Sequence, residues 1–161
     1  MRAEQIFIIG TLLALPASAA GVDQIDTLNW GVRAAGVMPN YNDAEFATGL
    51  GVSLIYRHRE YSQLALEADL VTTVIDGELG RFDFSTSTAG AYLAWRSSGD
   101  LFLKLRGGVL AERVEVGPSD AWGAGLSGSV GIGWRRAGNL LELELTGIEK
   151  SAYMVSLAWY F

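Results

Sequence analysis

Apolar residues recur at every second position in one segment after another of this chain, and this period constrains the fold more than any other feature. In the clearest segment, Trp122 to Arg135, large apolar residues alternate with glycine and serine. The last eleven residues repeat the pattern, with Val155, Leu157 and Trp159 all on one face. Successive side chains of a strand point to opposite faces, so a period of two predicts strands with one apolar face.

Eight segments of the chain alternate in this way. They are Thr27–Val37, Phe46–Arg57, Gln63–Val74, Phe84–Arg96, Leu101–Val114, Trp122–Arg135, Leu140–Gly147 and Ser151–Phe161. Each is close to the ~10 residues that a tilted strand needs to cross a bilayer. The sequence therefore predicts an all-β fold, an eight-stranded antiparallel up-and-down transmembrane β-barrel.

The first twenty residues have the composition of a secretory signal peptide. Arg2 precedes an apolar run from Ile6 to Leu15, and small residues follow it. The alternative, a transmembrane helix, needs ~20 apolar residues, about twice this run. We predict a signal peptide over 1–20, cleaved after Ala19 or Ala20, and a barrel domain over 21–161.

Alternation alone does not distinguish a membrane barrel from a soluble barrel that turns its apolar face inward. Glycine and serine dominate the less apolar face of several segments, and such small residues suit the interior of a narrow barrel. Trp122 and Trp134 lie at the two ends of one apolar row, as the aromatic girdles of a membrane barrel do. Both features favour lipid on the outside.

With that orientation, charged residues face the lumen. These are Arg33, Lys104 and Arg106 together with Glu67, Asp69, Glu142 and Glu144. A barrel of eight strands is just wide enough for side chains, so these groups are expected to pair across the lumen rather than to conduct ions.

The connections predict an acidic outer surface. The longer ones, expected outside the cell, are Met38–Glu45, Ile75–Asp83, Glu115–Ala121 and Ile148–Ser151; the shorter turns are His58–Ser62, Ser97–Asp100 and Arg136–Asn139. Outer loops and strand tips hold nine acids (Asp43, Glu45, Asp76, Glu78, Asp83, Glu112, Glu115, Asp120, Glu149) against Arg81, Arg113 and Lys150. The inner ends hold Arg57, Arg59, Arg96, Arg135 and Arg136 against Glu60 and Asp100.

Three interpretations of the outer acids stay open. They form a solvated surface, they bind a basic partner, or Asp76, Glu78 and Asp83 bridge to lipopolysaccharide through divalent cations.

The sequence contains little that indicates catalysis. The only histidine, His58, has Glu60 and Ser62 nearby but falls in an inner turn, and there is no cysteine. Gly123 to Gly128 spells a dinucleotide-binding pattern without the strand before it and the helix after it that such a site requires. No catalytic, cofactor-binding or metal-binding residue, no cofactor and no nucleic acid partner is predicted.

With its predicted signal, eight strands, small polar interior and terminal Phe161, the chain resembles small outer-membrane β-barrels, the OmpA-type transmembrane domain and opacity-like porin-family surface proteins. The resemblance implies the outer membrane of a Gram-negative-type envelope, contact with lipid and lipopolysaccharide, a monomer, and assembly by machinery that reads the last strand at Phe161. Such proteins have many functions. The expected role is structural or surface-interacting, through a ligand the sequence does not identify; the alternatives are a lipid-modifying barrel enzyme and a narrow pore.

Overall fold

The computed structural model describes residues 26–39, 45–58, 63–148 and 152–161, most of them in strands. The strands are β1 (Asp26–Pro39), β2 (Ala47–His58), β3 (Leu64–Ile75), β4 (Gly77–Leu79), β5 (Phe82–Arg96), β6 (Leu101–Val116), β7 (Ser119–Arg136), β8 (Asn139–Ile148) and β9 (Ala152–Tyr160). The predicted signal peptide over 1–20 lies outside the described residues. The described residues include no helix long and apolar enough to cross a membrane.

Eight of these strands close into a ring. Each pairs antiparallel with its neighbours in the chain, β1 also pairs with β9, and β3 pairs directly with β5. The three-residue β4 pairs with β5 alone and lies outside the ring. The predicted fold class, an eight-stranded antiparallel up-and-down β-barrel, is confirmed.

The barrel carries its apolar residues on the outside. Leu103, Val130, Leu143 and Leu157 have between 47% and 57% of their surface exposed, whereas alternating positions on the same strands are buried and mostly polar. The face assigned to each residue by the alternation is the face that it occupies. A soluble barrel has the opposite arrangement, since its apolar side chains fill the core.

The interior has three layers along the barrel axis. At the end that holds Phe161, here called the Phe161 end, an apolar cluster consists of Ile55, Ala65, Phe102, Leu140, Ala158 and Tyr160. At the opposite end, a second cluster consists of Ala35, Val37, Ala47, Val71, Phe84 and Met154, with Leu79 and Val116 against it. Buried charged residues lie between the two apolar layers.

Two of the three turns predicted at the Phe161 end agree with the prediction, and the third, His58–Ser62, lies almost wholly outside the described residues. Residues Ser97 to Asp100 connect β5 and β6, and Ala137 and Gly138 connect β7 and β8. Both residues of the second turn have positive φ, 48° and 85°, which is the backbone of a two-residue hairpin turn that matches strand twist.

At the other end, two of the predicted long loops are wrong. The Glu115–Ala121 segment is mostly strand, because β6 continues to Val116 and β7 begins at Ser119, leaving a two-residue turn. The Ile75–Asp83 segment contains β4 and the start of β5, around a turn at Gly80 and Arg81. We call this end the hairpin end.

The pattern inverts on β6, and this inversion explains the error. Outward positions change from Val109 to Arg113 and Glu115, while inward positions change from Arg106 to Leu110 and Val116. Near the hairpin end, the outside is polar and the inside is apolar. A strand end that is assigned at the last outward-facing apolar residue therefore comes too early on β6.

Candidate functional site: the charged lumen and the free edge of strand β7

Eight buried ionised side chains form one connected cluster in the middle layer, here called the lumen network. Its members are Arg33, Arg96, Lys104, Arg106, Glu67, Asp69, Glu142 and Glu144. They come from β1, β3, β5, β6 and β8, so that the cluster crosses the lumen in several directions. The four acids and four bases balance, and the predicted pairing of lumen charges is observed.

Lys104 is the centre of the network. Its Nζ lies 2.6 Å from Glu142 Oε2, 2.7 Å from Glu144 Oε1 and 2.8 Å from Glu67 Oε2. The ammonium group donates hydrogen bonds to Glu142 and Glu144, and Glu67 adds an ion pair without a hydrogen bond. A buried charge is tolerable only when it is paired in this way.

Arg106 connects the network to the opposite wall. Its Nη1 lies 2.7 Å from Asp69 Oδ2, and its Nε lies 2.9 Å from Glu144 Oε2. The guanidinium also lies over the Tyr92 ring, 3.9 Å from the ring centroid, and this cation–π contact covers the side that no carboxylate faces.

Arg33 joins the first strand to the last two. It donates to Glu144 Oε1 at 3.1 Å and to Ser156 Oγ at 2.6 Å, and it also donates to Tyr160 and to Ser53. Its partners on β2, β8 and β9 surround the seam at which β1 meets β9. The seam is therefore closed by side chains as well as by backbone pairing.

Arg96 is the network member that the sequence analysis placed elsewhere. It was counted among the charges at the inner strand ends and not among the lumen charges, but it is only 2% exposed and pairs with Glu67 and Glu142. Its position was available from the alternation, since Tyr92, Ala94 and Arg96 share one face of β5. Its place at the end of the strand was the wrong guide, because the last inward side chain of β5 still reaches the carboxylates of the network.

Among the described residues, apolar clusters lie on both sides of the lumen network along the barrel axis. The lumen network fills the cross-section of the middle layer, and an apolar cluster closes it at each end. At Gly133, a Cβ would overlap the Phe102 ring, which shows how completely the Phe161 end is packed.

The second feature is a stretch of β7 at the hairpin end that has no partner on its β8 side among the described residues. β7 pairs with β6 from Trp134 as far as Ser119, but its described pairing with β8 stops at Ser127, opposite Ile148. Residues Ser119 to Ala124 are exposed on both faces of the strand. Among the described residues, no strand lies beside this stretch, which we call the free edge.

The free edge presents backbone donors and acceptors in a known direction. Arg135 N donates to Asp100 O at 2.7 Å, so the odd-numbered residues of β7 bond towards β6. In an antiparallel ladder, the alternate residues direct their N–H and C=O groups to the other side. The groups of Asp120, Trp122 and Ala124 therefore point towards the free edge.

Acidic side chains are concentrated at the hairpin end, the same end that holds the free edge. The described part of the hairpin end holds seven carboxylates (Glu45, Asp76, Glu78, Asp83, Glu112, Glu115 and Asp120) and two guanidinium groups, Arg81 and Arg113. Arg113 lies 3.2 Å from both Glu115 and Asp120 and 5.6 Å from the centroid of the Trp122 ring. Glu78 lies directly opposite Asp83 in the β4–β5 hairpin. The described residues include no group of three metal-ligating side chains.

The residues considered for catalysis are only partly described. His58 is the last residue of β2, while Glu60 and Ser62 lie outside the described residues, as do Asp43, Arg59, Glu149 and Lys150. Gly123 to Gly128 lie in the middle of a continuous strand, with no helix after them. A dinucleotide-binding site needs a helix N-terminus after the glycines, so these residues do not form one.

Comparison with solved structures relates the barrel to bacterial membrane proteins. Neisserial surface protein A matches over 85% of this chain and 97% of its own, with a TM-score of 0.61 and 15% identity. The outer membrane protein OprG from Pseudomonas aeruginosa matches over 84% and 95%, with a TM-score of 0.57 and 13% identity. This chain has the fold of a small outer-membrane β-barrel.

Ail, the attachment invasion locus protein of Yersinia pestis, solved with the heparin analogue sucrose octasulfate, is a third match. It covers 84% of this chain and 97% of its own, with a TM-score of 0.53 and 12% identity. No family model matches the sequence, and no curated protein matches it. At these identities the similarity is one of fold.

Proposed function

We propose that this protein is an exported outer-membrane barrel without catalytic or conducting function, which anchors an interaction surface at its hairpin end. The apolar exterior supports the membrane location, because a continuous apolar belt of this extent is stable in lipid and not in water. The outer-membrane proteins with the same fold support the same location. The Phe161 end then faces the periplasm, and the belt contacts lipid and lipopolysaccharide.

The proposal of an interaction surface rests on the free edge of β7. An unpaired strand edge can bind an extended segment through backbone hydrogen bonds, and natural proteins generally protect such edges. The excess of carboxylates at the hairpin end favours a basic segment. The partner we propose is therefore an extended, lysine- or arginine-rich segment of a surface protein. Sucrose octasulfate, which is bound to Ail, is an anion. It has the same sign of charge as the acidic hairpin end and therefore does not fit this surface.

A peptide of about ten residues that alternates lysine and valine is the probe for this proposal. It should bind the refolded barrel in neutral detergent, and hydrogen exchange should slow at the amides of Trp122 and Ala124. The variant Ala124→Pro removes one N–H at the free edge and leaves the β6 bonds intact. Since one hydrogen bond contributes about 0.5–1.5 kcal/mol, we expect binding to weaken about two- to tenfold.

The matched controls separate edge pairing from charge. A peptide of alternating glutamate and valine should not bind, and high salt should weaken the basic peptide. Ala68→Pro should misfold, because β3 is paired on both sides there. Binding that Ala124→Pro leaves unchanged, or that slows no amide at the free edge, would refute edge pairing.

We further propose that β9 directs assembly by the barrel-assembly machinery. The Phe161 ring packs edge-on against Trp30, with centroids 4.3 Å apart, and against Trp159 at 5.7 Å. Deleting Phe161 should lower insertion in cells more than it lowers the stability of the refolded barrel, since one aromatic side chain contributes about 1.5–3 kcal/mol. The two readouts are membrane-inserted protein and urea unfolding. Equal insertion of a chain ending at Tyr160 would contradict the proposal.

A further inference from the structure

Three strands that run towards the Phe161 end finish with an inward-facing arginine. Arg57 is the last inward residue of β2, Arg96 of β5 and Arg135 of β7. They follow the inward residues Ile55, Ala94 and Gly133 on their strands. Three guanidinium groups therefore converge on the mouth of the lumen at this end.

The charges at this mouth are not balanced. Arg96 belongs to the neutral lumen network, but among the described side chains Arg57 and Arg135 form no ion pair. The acids that attract Arg57 are Glu142 and Glu67, which already pair with Arg96 and Lys104. Arg57 is also repelled by Arg96 and Arg135. The mouth thus has an excess of positive charge.

Two buried donors at this mouth lack a partner among the described residues. They are Nε of Arg57 and Nη1 of Arg96, and the Arg96 side chain is only 2% exposed. Leaving a buried charged donor unsatisfied is unfavourable. The Arg135 guanidinium stacks over the Phe102 ring, 5.3 Å from its centroid, which holds it at the edge of the apolar layer.

We propose that the mouth at the Phe161 end is a binding site for a phosphate oxyanion. Arg57 and Arg135 bind the anion, and the unpartnered Nη1 of Arg96 supplies a further donor. Guanidinium groups suit this ligand because their planar donors match the spacing of phosphate oxygens. The phosphate is that of a lipid headgroup in the adjoining leaflet or a free phosphate.

Inorganic phosphate, titrated into the refolded barrel in non-ionic detergent, tests the site. The signal is the NMR shift of the arginine Nε–H groups. Arg57→Gln and Arg135→Gln should each weaken binding at least tenfold. Arg57→Lys keeps the charge and loses the planar donors, so it should fall between Arg57→Gln and the unchanged protein.

Arg136→Gln is the matched control. Arg136 lies on the same strand end, but it faces outward over the Trp134 ring, 5.7 Å from its centroid. Its replacement removes the same charge and should leave binding unchanged. Equal weakening by Arg136→Gln and Arg135→Gln would mean diffuse surface attraction and would overturn the proposal, as would an absence of saturable shifts in the unchanged protein.

Lipid nanodiscs distinguish the two sources of phosphate. In phosphatidylglycerol discs without added phosphate, a lipid site gives the same Arg57 and Arg135 shifts, and these shifts disappear in Arg57→Gln. In that case inorganic phosphate no longer produces a further change. If the shifts appear only when phosphate is added, the ligand is free phosphate. Retention of the migration difference between boiled and unboiled samples confirms that each variant is folded.

Discussion

Replacing Glu144 with glutamine is expected to lower the free energy of unfolding by about 3–5 kcal/mol. Glu144 Oε1 lies 3.1 Å from Arg33 and 2.7 Å from Lys104, while its other oxygen lies 2.9 Å from Arg106. Glutamine has nearly the same shape but no charge, so three buried cations lose a shared counter-ion. Urea unfolding of the refolded barrel in phospholipid vesicles measures the change.

The matched control is Glu115→Gln at the hairpin end. Glu115 also pairs with an arginine, Arg113 at 3.2 Å, but the Glu115 side chain is 34% exposed. Exposed pairs contribute about 0–1 kcal/mol, so the loss should be small. The double variant Glu144→Gln, Arg106→Gln restores neutrality and should recover part of the stability. Equal losses in the two single glutamate variants would show that the lumen network does not stabilise the barrel.

Replacing Leu143 with arginine is expected to lower the free energy of unfolding in phospholipid by about 2–4 kcal/mol. Leu143 lies midway along β8, with Ile132 and Leu157 opposite it on the neighbouring strands, and 47% of its surface is exposed. In the proposed location that surface meets hydrocarbon near the centre of the bilayer. Reversible unfolding in phospholipid vesicles gives the value.

Leu101→Arg is the control for depth in the membrane. Leu101 faces outward and is 73% exposed, but it is the first residue of β6, at the Phe161 end. Near an interface, the same substitution costs about 0–1 kcal/mol. If both arginine variants were equally stable, or if Leu143→Arg made the barrel soluble in water, then the apolar belt would not face lipid.

Much of the barrel could be predicted because the alternation is a local property. A residue's face follows from its position on a strand, so the assignment of Leu143 outward and Glu142 inward needs no knowledge of the neighbouring strands. The same rule places Arg96 in the lumen, although it was counted with the charges at the inner strand ends. The network could be anticipated as a set of buried charges for this reason.

The strand ends and the free edge could not be predicted in this way. On β6, the residues from Arg113 to Val116 still alternate, but water has replaced lipid outside and apolar side chains fill the inside. How far β7 extends past the end of β8 depends on the lengths and register of several strands. The sequence of one segment alone does not contain this information. The individual ion pairs likewise depend on which strands face each other across the lumen.

The position of Arg33 has a consequence for how the barrel closes. Before β1 meets β9, the chain is an open sheet, with Arg33 near one edge and Glu144 on the strand next to the other. The two edges then carry opposite charges that attract each other, and the cost of removing these charges from water is offset only once they pair. Closure should therefore be an all-or-none event, with the electrostatic attraction aligning the edges before the backbone hydrogen bonds of the seam form.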